Sequence, residues 1–83
     1  MKGTIRRMSN RDGHTEVAYD TETGVVAEAE ALLADAAASR AALFDGETKE
    51  KIGDARDIQD RGKGRDVLEE HSDVMVVQPI AGG

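Results

Sequence analysis

The residues of this chain with the clearest chemical potential are its last two, Gly82-Gly83. A glycine end carries no Cβ, so its backbone can enter a narrow site and approach a bound group closely. A carboxylate on Gly83 is able to attack the α-phosphorus of ATP, forming an acyl-adenylate and releasing pyrophosphate. A thiol, a sulfide or a lysine amine then displaces AMP from the activated carbonyl. The alternative for the same two residues is a frayed tail with no chemistry.

Three other groups compete for a chemical role. Arg61-Gly62-Lys63-Gly64-Arg65 interleaves glycine with cations, a composition that grips phosphate through backbone N–H groups and charge. It departs from the G-x-x-x-x-G-K-[ST] spacing and follows no strand candidate, so it reads as a solvated turn. His14 sits in a turn cluster, and His71 lies beside Glu69, Glu70 and Asp73. A metal site needs several converging ligands at defined spacing. Two distant histidines do not supply them, so both read as surface or hydrogen-bonding groups. The chain has no cysteine. That excludes disulfides, thiolate metal sites and a cysteine nucleophile. No Ser, His and Asp fall at a recognisable catalytic spacing, and so short a chain cannot wall off a deep pocket. The expectation is a protein that is not itself an enzyme and holds no cofactor or metal.

The charge balance narrows the partners. Eleven Lys plus Arg against 17 Asp plus Glu give a net charge of −6 over 83 residues. A nucleic-acid reading would rest on Arg6, Arg7 and Arg11. It is opposed by the acidic balance and by the lack of stacking aromatics, with one Tyr, one Phe and no Trp. An acidic surface instead suits steering toward a basic protein partner. Lys2, Lys49, Lys51 and Lys63 are candidate acceptors of a modifier. No apolar run approaches the roughly 20 residues of a membrane span. Met1-Lys2-Gly3-Thr4-Ile5-Arg6-Arg7 lacks the apolar stretch of a signal peptide. A cytoplasmic protein without membrane partners is expected.

The elements that must position these groups fall into three zones of one domain, 1–83. Thr4-Ile5-Arg6-Arg7-Met8 and Thr15-Glu16-Val17-Ala18-Tyr19 read as two strands around an Asp12-Gly13 turn, a hairpin signal. Ile5 is expected to share the buried face with Val17 and Tyr19, leaving Arg6 and Glu16 in water. From Thr21 to Gly46, Thr23 reads as a helix N-cap, with Glu22, Glu28 and Glu30 at the positive end of the dipole. Val25, Val26, Ala29, Leu32, Leu33 and Ala36 recur at steps of three and four, the apolar face of an amphipathic helix ending near Arg40. Ala41-Ala42-Leu43-Phe44 reads as a last helical turn or a short strand, closed by Asp45-Gly46. Residues 47–66 are dense in charge and broken by Gly53, Gly62 and Gly64. They read as a long loop with one or two helical turns at most, a connection that suggests mobility or a binding role. Val74-Met75-Val76-Val77 is a strand whose continuous apolar character implies burial on both faces, inside the sheet. Pro79 ends it, and 78–83 is expected to be a flexible tail.

Asp73-Val74-Met75-Val76-Val77-Gln78-Pro79-Ile80-Ala81-Gly82-Gly83 resembles the last strand and tail of ubiquitin-like β-grasp proteins. It is closest to the prokaryotic sulfur carriers, the small subunit of molybdopterin synthase and the thiamine-pathway carrier, and archaeal small modifiers end similarly. The tail has Gln78-Pro79 where a double proline is common in the sulfur carriers. The resemblance implies an α+β, β-grasp fold of hairpin, helix, irregular segment and central last strand. It implies that Gly83 with Gly82 is the activated end, and that Pro79, Ile80 and Ala81 line the channel of an ATP-dependent activating enzyme. The product is a thiocarboxylate for a sulfur-acceptor enzyme or an isopeptide on a target protein. A non-covalent interaction module of the same fold, with an idle tail, is the alternative. Partner docking is expected at apolar outer positions of the sheet such as Ile5 or Met75.

Overall fold

The computed structural model describes residues 1–9 and 13–79. The element order is β1 (Lys2–Ser9), β2 (Gly13–Asp20), α1 (Ala27–Ala38), β3 (Ala42–Asp45), β4 (Lys51–Asp54), α2 (Ala55–Asp60), α3 (Gly64–Glu70) and β5 (Asp73–Val77). The strands form one five-stranded sheet in the order β2-β1-β5-β3-β4. β1 runs parallel to β5, and every other pairing is antiparallel. This is an α+β architecture of a mixed sheet with helices against it.

The hairpin forms as its alternation dictates. Ile5 faces Val17 across the ladder and Gly3 faces Tyr19. Ile5 and Tyr19 are buried, with Val17 packed against them. Glu16 is exposed as expected. Arg6 is not left in water: its guanidinium reaches Asp73 on the neighbouring β5 at 2.9 Å. Alternation sets which face a side chain takes, but the adjoining strand decides what it meets there.

α1 begins later than the sequence suggests. Thr23 does not cap it. The helix starts at Ala27 after Val26, with no side-chain cap. The residues before it are engaged elsewhere: Asp20 and Val25 exchange both backbone hydrogen bonds at 2.9 Å. The Asp20 carboxylate also accepts the Glu22 N–H at 3.0 Å. This closed turn leaves Val25 exposed, off the apolar face on which the periodicity placed it. Val26, Ala29, Leu32, Leu33 and Ala36 are buried, and Glu28 and Glu30 lie in the first turn.

Residues 47–66 are not the irregular connection that the sequence suggests. They hold β4, all of α2 and the start of α3. Each element is short: α2 and α3 bury two side chains apiece and β4 only half-buries Ile52, so no periodicity accumulates in the sequence. Ala55 and Ile58 are the buried residues of α2, and Val67 and Leu68 those of α3. The charges between them occupy the outward positions. Gly62 ends α2 in the left-handed conformation (φ 68°). Its N–H reaches Gln59 O, and the Lys63 N–H reaches Ile58 O at 2.9 Å. That is the paired C-terminal hydrogen-bond pattern for which glycine is favoured.

β5 lies inside the sheet, between β1 and β3, but it is not buried on both faces. Val74 and Val76 are fully buried, Met75 is half-buried and Val77 exposed. Ile5, Leu43, Val74 and Val76 face the helices and form the core with Leu33, Ile58, Val67 and Leu68. The opposite face, carrying Arg6, Phe44 and Met75, stays partly open. Ile5 is therefore unavailable to a partner, whereas Met75 is accessible.

Candidate functional site at the ends of the central strand

Both ends of β5 gather polar side chains from distant parts of the chain. At its start, Asp45 closes the β3–β4 turn by accepting the backbone N–H groups of Glu47 and Thr48 at 2.7 and 3.0 Å. His71 Nδ1 lies 2.8 Å from the other oxygen of Asp45. The Tyr19 hydroxyl donates to the His71 carbonyl. Asp73 takes Arg6 on one oxygen, while its second oxygen is buried without a partner. Gly46 packs so closely against this carboxyl that a Cβ there would collide with it. The Gly46 N–H donates to Asp73 O at 2.8 Å.

The electrostatics follow from these contacts. The Thr48 N–H, then His71 and the Glu47 N–H, hold the Asp45 carboxyl down at about 2. Burial, then the nearby charges of Asp73 and Asp45, push the Tyr19 hydroxyl up to about 12. Ser72 is adjacent in sequence, but its hydroxyl donates to Glu47 at 2.9 Å. Ser, His and Asp therefore meet here without the nucleophile–base hydrogen bond that acyl chemistry needs.

One result is expected directly. A carboxyl depressed in the folded state stabilises above its unfolded value of 3.8. That stability is lost as pH falls through the folded value. The melting temperature should therefore fall between about pH 5 and pH 2. Asp45→Asn should flatten that stretch of the profile and melt lower at neutral pH. An unchanged slope in the variant would remove Asp45 as the cause.

At the other end, β5 runs out through Gln78 and Pro79, both exposed. Gln78 is clasped. Its Oε1 accepts from Arg7 Nη2 at 2.9 Å and from the Ser39 hydroxyl at 3.0 Å. Arg7 also donates to Ser39 Oγ at 3.1 Å. The parallel register explains why Arg7 reaches this far: it pairs with Val76, two residues before Gln78. The ends of β1, α1 and β5 are thus tied at the point where the tail begins. Of the tail residues singled out in the sequence, only Pro79 is described. Ile80, Ala81, Gly82 and Gly83 lie outside the described residues. So do Arg11 and the side chain of His14.

Arg61-Gly62-Lys63-Gly64-Arg65 forms the α2–α3 turn, and its cations face the chain's own oxygens. Arg61 pairs with Asp57 at 3.1 Å, Lys63 with Asp66 at 3.6 Å, and Arg65 donates to Thr21 O. No group of three or more metal-ligating side chains occurs among the described residues. A cavity of about 560 Å³ opens between Lys2, Thr4, Ala18, Asp20, Thr23 and Val25, at the opposite end from the tail.

Sequence reasoning missed the meeting of Arg7, Ser39 and Gln78, whose separations of 32 and 71 residues leave no local signal. It also missed Arg40 and Arg56, taken up below. No protein-family model matches the chain, and neither a curated protein nor a solved structure matches it significantly.

Proposed function

We propose that this chain is a ubiquitin-like protein of the β-grasp type whose working part is the Gly83 carboxylate. An ATP-dependent enzyme adenylates that carboxylate, and the acyl group passes to sulfide as a sulfur carrier or to a lysine amine as a protein modifier. The observation that carries the reading is the placement of β5. A hairpin, a crossing helix and a last strand inserted between β1 and β3 are the order a β-grasp requires. That last strand leads, through a clasped Gln78, directly into Pro79-Ile80-Ala81-Gly82-Gly83. A firm strand before a glycine end presents a carboxylate at a distance from the body of the protein, where an active-site channel can enclose it. Pro79, Ile80 and Ala81 line that channel in this reading. The protein acts as a substrate rather than a catalyst, and its work is cytoplasmic. Among the described residues no helix is long and apolar enough to cross a membrane.

The runner-up is a non-covalent interaction module, favoured by the half-exposed Phe44 and Met75 and the exposed Val77 on the open sheet face. A nucleic-acid role is disfavoured, because Arg6 and Arg7 are engaged with Asp73, Ser39 and Gln78.

The carrier reading requires Gly83 to bear a free carboxylate in the working protein. Intact mass spectrometry of protein from its native host, with mapping of the terminal peptide, measures this first. A gain of one sulfur for one oxygen at Gly83 identifies a thiocarboxylate, and an isopeptide from Gly83 to lysine identifies a modifier. An unmodified carboxylate in every fraction, persisting with ATP and host lysate, leaves the interaction module.

A further inference from the structure

Among the described cations, Lys2, Arg40 and Arg56 have no side-chain partner, and the two arginines line one site. Arg6, Arg7, Lys51, Arg61, Lys63 and Arg65 are each engaged with an oxygen of the chain itself. The side chains of Arg40 and Arg56 are exposed and make no ion pair or hydrogen bond among the described residues. They line one notch of about 350 Å³ with Ala41 and Asp54. Asp54 is already answered by Lys51 at 3.1 Å, so the notch is cationic. It flanks the exit of β5. The Ser39 carbonyl just before Arg40 accepts from Gln78 Nε2, and the Ala55 N–H just before Arg56 donates to Ala41 O at 2.9 Å.

The backbone at Arg40 supplies an independent observation. Its φ is 59°, in the left-handed region that a side chain disfavours. Arg40 N donates to Ala37 O at 3.1 Å and Ala41 N to Ala36 O at 2.9 Å. This is the same terminal pattern that Gly62 completes after α2, and glycine is the residue that fits it. At Arg40 the chain instead carries a long cation whose side chain makes no hydrogen bond or ion pair among the described residues. Strain of this kind is retained where the side chain does something else.

We propose that the Arg40–Arg56 notch docks an acidic segment of the protein that activates the tail. The choice of partner rests on the carrier reading. Two guanidiniums lining one notch suit bidentate carboxylates. The chain carries a net charge of −6 overall, and this notch offers an acidic partner a locally cationic approach. The inference reverses the expectation of a basic partner, because net charge does not say where the cations gather.

The test compares wild type with Arg40→Gly, Arg40→Lys and Arg56→Ala. Arg40→Gly relieves the backbone and should raise the melting temperature by a few degrees. It should nonetheless slow ATP-dependent modification of Gly83 in host lysate by about tenfold at low salt. Arg56→Ala should slow it similarly, Arg40→Lys should restore most of the rate, and high salt should narrow the differences. If wild type is modified and these variants match it at every salt concentration, the docking proposal falls and the carrier reading stands. If wild type is never modified, the carrier reading falls, and NMR titration with hexaglutamate decides the notch alone. Shifts at Arg40 and Arg56 side chains that vanish in Arg40→Gly support an acidic partner. No shifts, or shifts only with a single-stranded oligonucleotide, overturn it.

Discussion

Deleting Gly82 and Gly83 should abolish ATP-dependent modification of the chain entirely while leaving its melting temperature unchanged. The first half follows from the chemistry. Truncation to Ala81 places a methyl group on the residue that must enter the channel, and it shortens the reach by two residues, roughly 7 Å. Transfer chemistry tolerates far smaller displacements than that, since misplacement by about 1 Å can cost a hundredfold. The second half follows from the packing. The core is built from Ile5 to Val76, and the strand exit is held by Arg7 and Ser39 on Gln78. Loss of modification with an unchanged melt supports the tail as the working part. The interaction module predicts a truncated protein that keeps its partner and loses nothing. Loss of the fold on truncation would instead make the tail structural.

Ile58→Ala should destabilise the protein by about 2–4 kcal/mol, the cost of removing a buried aliphatic side chain that its surroundings cannot replace. Total stability for 83 residues is of the order of 4–12 kcal/mol, so this is a large share of it. The melting temperature should fall by roughly 10–30 °C, since each kcal/mol shifts a domain of this size by about 4–8 °C. The position matters because it lies in the middle of the most charged stretch of the chain. Ile58 is buried among the core residues and packs against Gly53 of β4. A mobile connection would leave Ile58→Ala neutral, and thermal melts followed by far-ultraviolet circular dichroism separate the outcomes. Asp57→Ala on the same helix removes only an exposed pair with Arg61 and should cost less than about 1 kcal/mol.

What the sequence determined by itself lies in its longest patterns. The hairpin and α1 were legible because eight-residue strands and a twelve-residue helix repeat their period often enough to be read. β5 was legible as a strand from its run of Val and Met. The chemical possibilities of Gly82-Gly83 were legible because a side chain's absence is itself sequence information. Tertiary structure alone decided the rest. Only the fold shows that β4, α2 and α3 exist, because packing against α1 and β3 forms elements too short to declare themselves. Only the sheet order places Arg6 on Asp73 and leaves one face of β5 open. The clasp on Gln78 and the notch of Arg40 and Arg56 join residues from separate elements. Such groupings carry no period and no motif. They come from three-dimensional proximity, which the chain acquires only when hydrophobic burial draws its distant segments onto one sheet.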